Sequence, residues 1–395
     1  MRSLLGLAAL QYSAVIGLRV TVALSAVAAG LSPASIGLLL ATFALVPMLL
    51  AVRGGQLVDR IGVRRPMQMG CALAAAGAVA CAAWPHPAVL AVAAGAIGLG
   101  GMAFHLGMQH AAGEIGGAER RHANFNLLTM SFSVSGLIGP PMAGMVIDLA
   151  SHRHAFAVCA ALLMGSWIGL RRFDFARHLP SEGDSRSLPV STSPDAAAPD
   201  ADEPRAPGTS PFDLLGSPRL RRLLIASLLA SASWDVYQFV LPLHAPTLGL
   251  SAASVGFAIA AFSAGSLSVR LVLPSLVSRM RPARWMQVAL TVCVLAYAAA
   301  PFASNLLVLV ALSFLVGTGP GIAQPLLMSA LHTASPPGRA GEAAGLRMTL
   351  LSAMQLGVPI GLGLVAGVLG TSALFWLYAG LAAAIGTSLA RAERR

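Results

Sequence analysis

The chain has 395 residues, of which 56% are hydrophobic and only 10% charged, and its mean hydropathy is +0.75. A soluble globular domain carries about 25% charged residues, so this composition excludes a water-soluble fold and points to an integral membrane protein. The net charge of +11 does not imply a nucleic-acid partner, because all 26 basic residues are arginines spread over alternate loops, the termini and a central linker rather than gathered in one patch.

A spanning helix needs about 20 mostly apolar residues, and the sequence divides into twelve such segments separated by short polar breaks. Open sheets cannot satisfy their backbone groups in lipid. The expected fold is therefore all-α with twelve transmembrane helices. Arg153 alone falls in a predicted outer loop and Arg19, Arg270 and Arg347 fall inside predicted helices; the remaining arginines mark the cytoplasmic face and place both chain ends there. Met1-Arg2-Ser3-Leu4-Leu5 has the charged start of a signal peptide, but eleven further spans favour a retained first helix. Cys71, Cys81, Cys159 and Cys293 sit in apolar runs without metal-ligand spacing, so they read as small core residues, with no disulfide and no metal.

In chain order, helix 1 is predicted over 3–29 and carries Gln11, Tyr12 and Arg19. Helix 2 opens at Ser32-Pro33, a cap followed by a proline suited to the first helical position, and runs to Arg53. A charged loop over 55–66 leads to helix 3 (66–83), which turns at Trp84-Pro85-His86-Pro87. Helix 4 (88–112) carries His105, Gln109 and His110. Glu114, Glu119, Arg120 and Arg121 precede helix 5 (124–147), and helix 6 spans 154–170. Residues 172–217 are rich in Pro, Ser, Asp and Ala without apolar periodicity and read as a disordered linker between an N-terminal bundle (1–171) and a C-terminal bundle (218–395).

The two halves repeat at an offset of 219 residues: Leu31-Ser32 matches Leu250-Ser251, Gly37 matches Gly256, Phe43 matches Phe262, Arg60 matches Arg279, Gly98 and Gly100 match Gly317 and Gly319, and Pro140 matches Pro359. Parallel six-helix repeats about an axis along the membrane normal are one of the recurring transporter architectures. In the second half Ser278 stands where Asp59 stands in the first.

The stretch Gly55-Gln56-Leu57-Val58-Asp59-Arg60-Ile61-Gly62-Val63-Arg64-Arg65-Pro66 resembles the loop joining helices 2 and 3 in transporters of the major facilitator superfamily. A plainer reading of the same arginines is a solvated loop that orients the protein. The resemblance implies a conformational gate built from Gly55, Asp59, Arg60, Gly62, Arg64 and Arg65, in which Asp59 meets the start of helix 11 near 338–341; Arg270, close to the cytoplasmic end of predicted helix 8, is placed with this gate by its position, alongside Arg279. A carboxylate near a helix N-terminus gains about 0.3–1 kcal/mol. The helix 5 run Ser135-Gly136-Leu137-Ile138-Gly139-Pro140-Pro141-Met142-Ala143-Gly144 resembles the antiporter motif of the drug/proton antiporter-like branch through Gly136, Gly139, Pro140 and Gly144. Ser135 and Ala143 replace two glycines of that motif, Asn126 replaces a third, and helix 4 lacks the arginine that many of these exporters carry. The motif leans toward export; small residues and proline also serve close packing and bending.

Arg19 and Asp235 lead the candidate substrate- or proton-binding residues, because a charge near the bilayer centre costs about 2.5–3.5 kcal/mol on insertion scales. Arg19 aligns with Gln238, and Asp235, the one acid inside a predicted span, lies three residues before it. Two readings stay open: an ion pair that fixes the halves together, or a site where Asp235 exchanges a proton. His105 and Gln109 share a face of helix 4, Gln324 is the repeat partner of His105, and histidine titrates near neutrality. For His105 a satisfied core histidine and a functional one stand level; for His110 the core reading leads. Arg347 points either into the cavity's inner mouth or out to the headgroups, and Trp234 and Tyr237 pack against substrate or simply against the bundle.

The resulting expectation is a monomeric secondary transporter moving a small organic solute by alternating access, with proton-coupled efflux leading. Proton-coupled or facilitated uptake of an organic anion is the alternative, with Arg19 as carboxylate ligand, and a non-transporting sensor is the remaining one. No phosphate-cradling loop ending in lysine occurs, since the chain has no lysine, so an ATP-driven pump is excluded on that criterion. No nucleophile with a base marks an intramembrane enzyme, and no cofactor is expected. The Ala- and Arg-rich, lysine-free composition fits a bacterial cytoplasmic (inner) membrane.

Overall fold

The computed structural model describes residues 2–173, 211–277, 282–303, 305–336 and 339–393. Among these, every regular element is helical: α1 (Arg2–Ala28), α2 (Pro33–Ile61), α3 (Arg64–Ala83), α4 (Pro87–Glu114), α5 (Gly117–Leu149), α6 (His152–Arg172), α7 (Pro218–His244), α8 (Ala252–Val277), α9 (Pro282–Ala299), α10 (Leu306–Ala334), α11 (Ala340–Leu369) and α12 (Thr371–Glu393). Short 3-10 turns lie at Pro211–Gly216, Ala245–Leu248 and Ala300–Phe302. All twelve α-helices are long and apolar enough to cross a membrane, as the composition required. The central linker falls largely on 174–210, outside the described residues; its last residues form the first 3-10 turn.

Helix starts follow the local chemistry. Ser32 Oγ accepts from Ser35 N–H at 3.2 Å ahead of Pro33, and Ser151 Oγ accepts from His154 N–H at 3.4 Å at the start of α6. Two boundaries differ from the sequence expectation. The charged stretch is mostly not a loop: α2 continues through it to Ile61, because nothing before Gly62 breaks the helix, and Gly62 at φ 74° then turns the chain directly into α3. Likewise α5 begins at Gly117 rather than 124, after the left-handed Gly116 (φ 82°), so the charged residues 119–121 ride on its first turns. Arg153, expected in an outer loop, falls in the first turn of α6.

The chain forms two compact units. One comprises Met1–Val190 with Leu241–Ala260 and Pro359–Leu364; the other comprises Ser191–Val240, Ala261–Val358 and Val365–Arg395. In the first, α3 packs on α4 and α6, α1 on α5 and α6, and α2 on α4. Leu4, Met67, Phe104, Met108 and Leu170 close its core at the end where the chain begins. In the second, α9 packs on α10 and α12, and Leu220, Leu224, Met286, Leu327 and Leu346 form the corresponding core.

At three pairs of close helix crossings the repeat in the sequence is also a repeat in contacts. A Cβ added at Gly98 would lie 2.1 Å from the Phe43 carbonyl oxygen, and one at its repeat partner Gly317 would lie 2.0 Å from that of Phe262. Gly37 meets the Pro359 carbonyl at 2.3 Å and Gly256 meets that of Pro140 at 2.4 Å; Gly363 meets that of Pro33 at 2.5 Å and Gly144 that of Ala252 at 2.3 Å. The offset of 219 residues seen in the sequence is thus an offset in three-dimensional contacts. Lipid offers no hydrophobic drive for helices to associate, so packing at such small-residue crossings holds the bundle. Gly98→Val and Gly317→Val should each force two backbones apart and cost at least about 1–3 kcal/mol, seen as a fall in melting temperature of the detergent-solubilised protein. A melting temperature equal to that of wild type would show that these crossings do not bear the packing.

Candidate functional site

Polar groups inside a bundle of apolar helices are expensive and are retained for a reason, and here they gather into one group in each unit. In the first unit, Tyr12 Oη lies 2.7 Å from His105 Nδ1, and His105 Nε2 lies 3.1 Å from Gln109 Nε2. With the amide nitrogen facing Nε2, that ring nitrogen accepts and Nδ1–H donates to Tyr12, so a neutral imidazole is satisfied on both sides. Phe104 and Phe132 pack edge-on against Tyr12 at ring distances of 5.8 and 5.5 Å. Deeper in the same unit, Cys71 Sγ donates to Gln11 Oε1 at 3.2 Å, and Gln11 Nε2 is buried without a hydrogen-bond partner among the described residues. His110, on the same helix as His105, faces Glu114 at 3.4 Å near the end of α4, apart from this group.

The second unit holds a larger network. Arg347 on α11 donates from Nε to Ser227 Oγ at 2.6 Å and from an Nη to Ser231 Oγ at 3.1 Å. Gln324 on α10 donates to the same Ser231 oxygen at 3.4 Å, and its Oε1 accepts from Arg270 of α8 at 2.9 Å. Four helices therefore meet through two guanidinium groups, two buried serines and one amide. Serine hydroxyls do not neutralise a guanidinium, so those bonds leave its positive charge in place. Asp235 is 5% exposed and stands one turn beyond Ser231 on α7, so Ser227, Ser231 and Asp235 form a stripe with a spacing of four. Gln238 is buried as well, and its Oε1 has no hydrogen-bond partner among the described residues.

The structure sorts the candidate residues. It joins Gln324 and Arg347 and adds Arg270 to them, although the position of Arg270 near the end of α8 points to the gate. It joins His105 to Gln109 in the other unit. Tyr237 is fully buried, hydrogen-bonded to Ser313 and stacked on Phe262, and Trp234, partly buried, packs on the same ring at 5.2 Å. Arg19 is half-buried on α1.

Of the gate residues, the side chains of Asp59 and Arg60, and all of Arg279, lie outside the described residues. Arg64 donates to the Arg171 carbonyl at 2.9 Å, a cation at the C-terminal end of α6, and Arg65 is exposed. In the helix 5 run, Gly139 lets α5 approach the Ser13 carbonyl of α1, where a Cβ would lie at 2.3 Å, while Gly136 is buried on the same helix. Ser135 donates to the Ala9 carbonyl at 3.1 Å beside it.

Twelve apolar helices in two repeating halves meet a family model described as the Major Facilitator Superfamily, matched over residues 4–356 and again over 223–394. The chain belongs to the major facilitator superfamily. Among solved structures it is similar to the nucleoside transporter NupG, at 16% identity and a TM-score of 0.75, covering 98% of each chain. It is also similar to the peptide transporter POT in complex with sulfate, at 17% identity and a TM-score of 0.75, covering 99% of this chain and 94% of that one. A POT family transporter in complex with 5-aminolevulinic acid matches at 13% identity and a TM-score of 0.73, covering 98% and 94%. No curated protein sequence matches the chain. At these identities the likeness is one of fold. The family makes the protein a membrane transporter.

Sequence reasoning missed Tyr12 as the partner of His105, and it missed Ser227 and Ser231 as the hub of the arginine network. The spacing Ser227, Ser231, Asp235 on one face of α7 was the available signal. Ser231→Ala removes an acceptor shared by Arg347 and Gln324. It should cost about 1.5–3 kcal/mol, the range for hydrogen bonds to charged groups, read as a lowered melting temperature. An unchanged melt would mean that the network does not hold these helices together.

Proposed function

We propose that this member of the superfamily is a proton-coupled exporter of a small organic solute, working as a monomer by rocking its two halves around a midplane site. The observation that carries the reading is Asp235, a carboxylate buried in the middle of a span one turn from the hub of the arginine network. Acids at such depth mark proton relays and substrate paths. A proton on Asp235 and a solute near Ser231 would compete for the same polar surroundings, which is what exchange requires. Gly139 and Gly144, at crossings where α5 touches other helices backbone to backbone, support the lean toward export given by the helix 5 run. In this reading Asp59, with Arg60, Arg64 and Arg65, gates the end where the chain begins, and that end faces the cytoplasm of a bacterial cell.

One observation favours a second reading, uptake of an organic anion. Arg270 and Arg347 converge through Gln324 and Ser231, and guanidinium forks match carboxylate and phosphate geometry. Solved structures of this fold in complex with sulfate and with 5-aminolevulinic acid are in keeping with such a solute.

The test is transport in proteoliposomes under an imposed pH gradient, with a panel of organic cations and carboxylates, comparing wild type, Asp235→Asn and Arg347→Gln. Exchange of a cation against protons that disappears in Asp235→Asn supports export. Proton-driven uptake of a carboxylate that disappears in Arg347→Gln supports the anion reading. Transport in Asp235→Asn with an unaltered dependence on the gradient would remove Asp235 from the coupling.

A further inference from the structure

We propose that Asp148 is a latch: it holds closed the end of the bundle opposite the chain termini by capping the first turn of α8, and its release is a step of the transport cycle. The proposal rests on the alternating-access reading, which requires α5 and α8 to part at this end in one half of the cycle.

Asp148 stands in the last turn of α5, and its two carboxylate oxygens accept from the Ala252 and Ala253 N–H groups at 3.0 and 2.8 Å. Those N–H groups open α8 and have no partner within that helix. An anion placed there gains from the positive helix end as well as from two charge-assisted hydrogen bonds. Ser251 Oγ takes the next donor, Ser254 N–H, at 3.3 Å. The first turn of α8 is thus satisfied in part by its own cap and in part by a residue more than 100 positions earlier in the chain.

The repeat supplies an internal control. The α2·α11 seam is the counterpart of the α5·α8 seam at the offset of 219 residues: Ser32 and Ser35 match Ser251 and Ser254 and make the same cap. A Cβ added at Gly363 would lie 2.5 Å from the Pro33 carbonyl oxygen, as one at Gly144 would lie 2.3 Å from that of Ala252. In that seam, however, Gly367 stands where α5 has Asp148, and Pro33, which has no N–H to give, stands where α8 has Ala252. The α2·α11 seam therefore reaches the same closeness without the carboxylate and with one donor fewer, only that of Ala34 remaining. Packing does not need Asp148. What it adds is a bond that has to break before the seam can open, and it adds this on one side of the repeat only.

The test is the distance distribution between spin labels on Ala29→Cys, in the turn between α1 and α2, and Leu369→Cys, at the end of α11, both exposed. The full-length protein is used in lipid nanodiscs, its four native cysteines being buried. Asp148→Asn keeps the side-chain shape and removes the charge. Ala252→Pro leaves Asp148 in place, removes one donor and copies Pro33, a residue the helix start accepts. Gly363→Leu wedges the other seam open and shows that a second distance exists. Both Asp148→Asn and Ala252→Pro are expected to raise the ratio of longer to shorter distances by about five- to thirty-fold. A longer distance in Gly363→Leu, with either of the other variants matching wild type, would overturn the latch while leaving alternating access standing. A single unchanged distance in all three would overturn both.

Discussion

The structure depends on backbone meeting backbone at glycine. In lipid an apolar side chain gains nothing by touching another helix that it would not gain from an acyl chain, so helices associate where their backbones come close enough for dense van der Waals contact. At Gly98, Gly317, Gly37 and Gly256 the space for a Cβ is already taken by a carbonyl oxygen of a neighbouring helix. Each of these glycines has a repeat partner whose neighbour is itself the repeat partner of the first glycine's neighbour. The Gly98 and Gly317 crossings thereby build the same contact once in each six-helix half, while Gly37 and Gly256 mark the two equivalent seams, α2·α11 and α5·α8. A transporter that rocks one half against the other needs this kind of rigid, near-equivalent half.

Against that symmetric frame, the departures from symmetry carry the chemistry. Arg19 faces no arginine in the second half, since Gln238 holds that position, and His105 is matched by Gln324. The first unit makes its polar group from Tyr12, His105 and Gln109, where both imidazole nitrogens are satisfied by neutral partners. The second makes its own from Arg270, Gln324, Arg347 and two serines, with Asp235 one turn away. The ionisable side chains are thus concentrated in the second group, and that asymmetry is why the coupling role is proposed for α7 rather than for α4.

Much of the fold was legible in the sequence. Twelve apolar segments, the Ser32-Pro33 start and the offset between the halves all survive in the structure, because hydrophobic length and small-residue position are local properties of the chain. The helical path of residues 55–61 was not legible: charge and glycine there suggested a loop, but helix continues until a residue must adopt positive φ, and that residue is Gly62. The start of α5 was missed for the same reason, since charged residues on a first helical turn look like loop residues in a chain this apolar. The candidate site was legible as a set of residue types and not as a geometry. Which of Gln324, Arg347 and Arg270 meet depends on the rotation of α8, α10 and α11 about their axes, which single-helix spacing does not encode. Asp148 was passed over because it lies at the very end of a span, where an acid looks like ordinary solvent-facing polarity until its acceptor geometry on α8 is known.

The central claim is that Asp235 exchanges a proton when solute occupies the site near Ser231. The direct measurement is proton release or uptake by the purified protein in weakly buffered detergent near neutral pH, on titration with a mixed panel of organic cations and carboxylates, for wild type and for Asp235→Asn. The account predicts a proton change that accompanies ligand binding in wild type and is absent from the variant. A proton change of the same size in both, or ligand binding with no proton change in wild type, would contradict it.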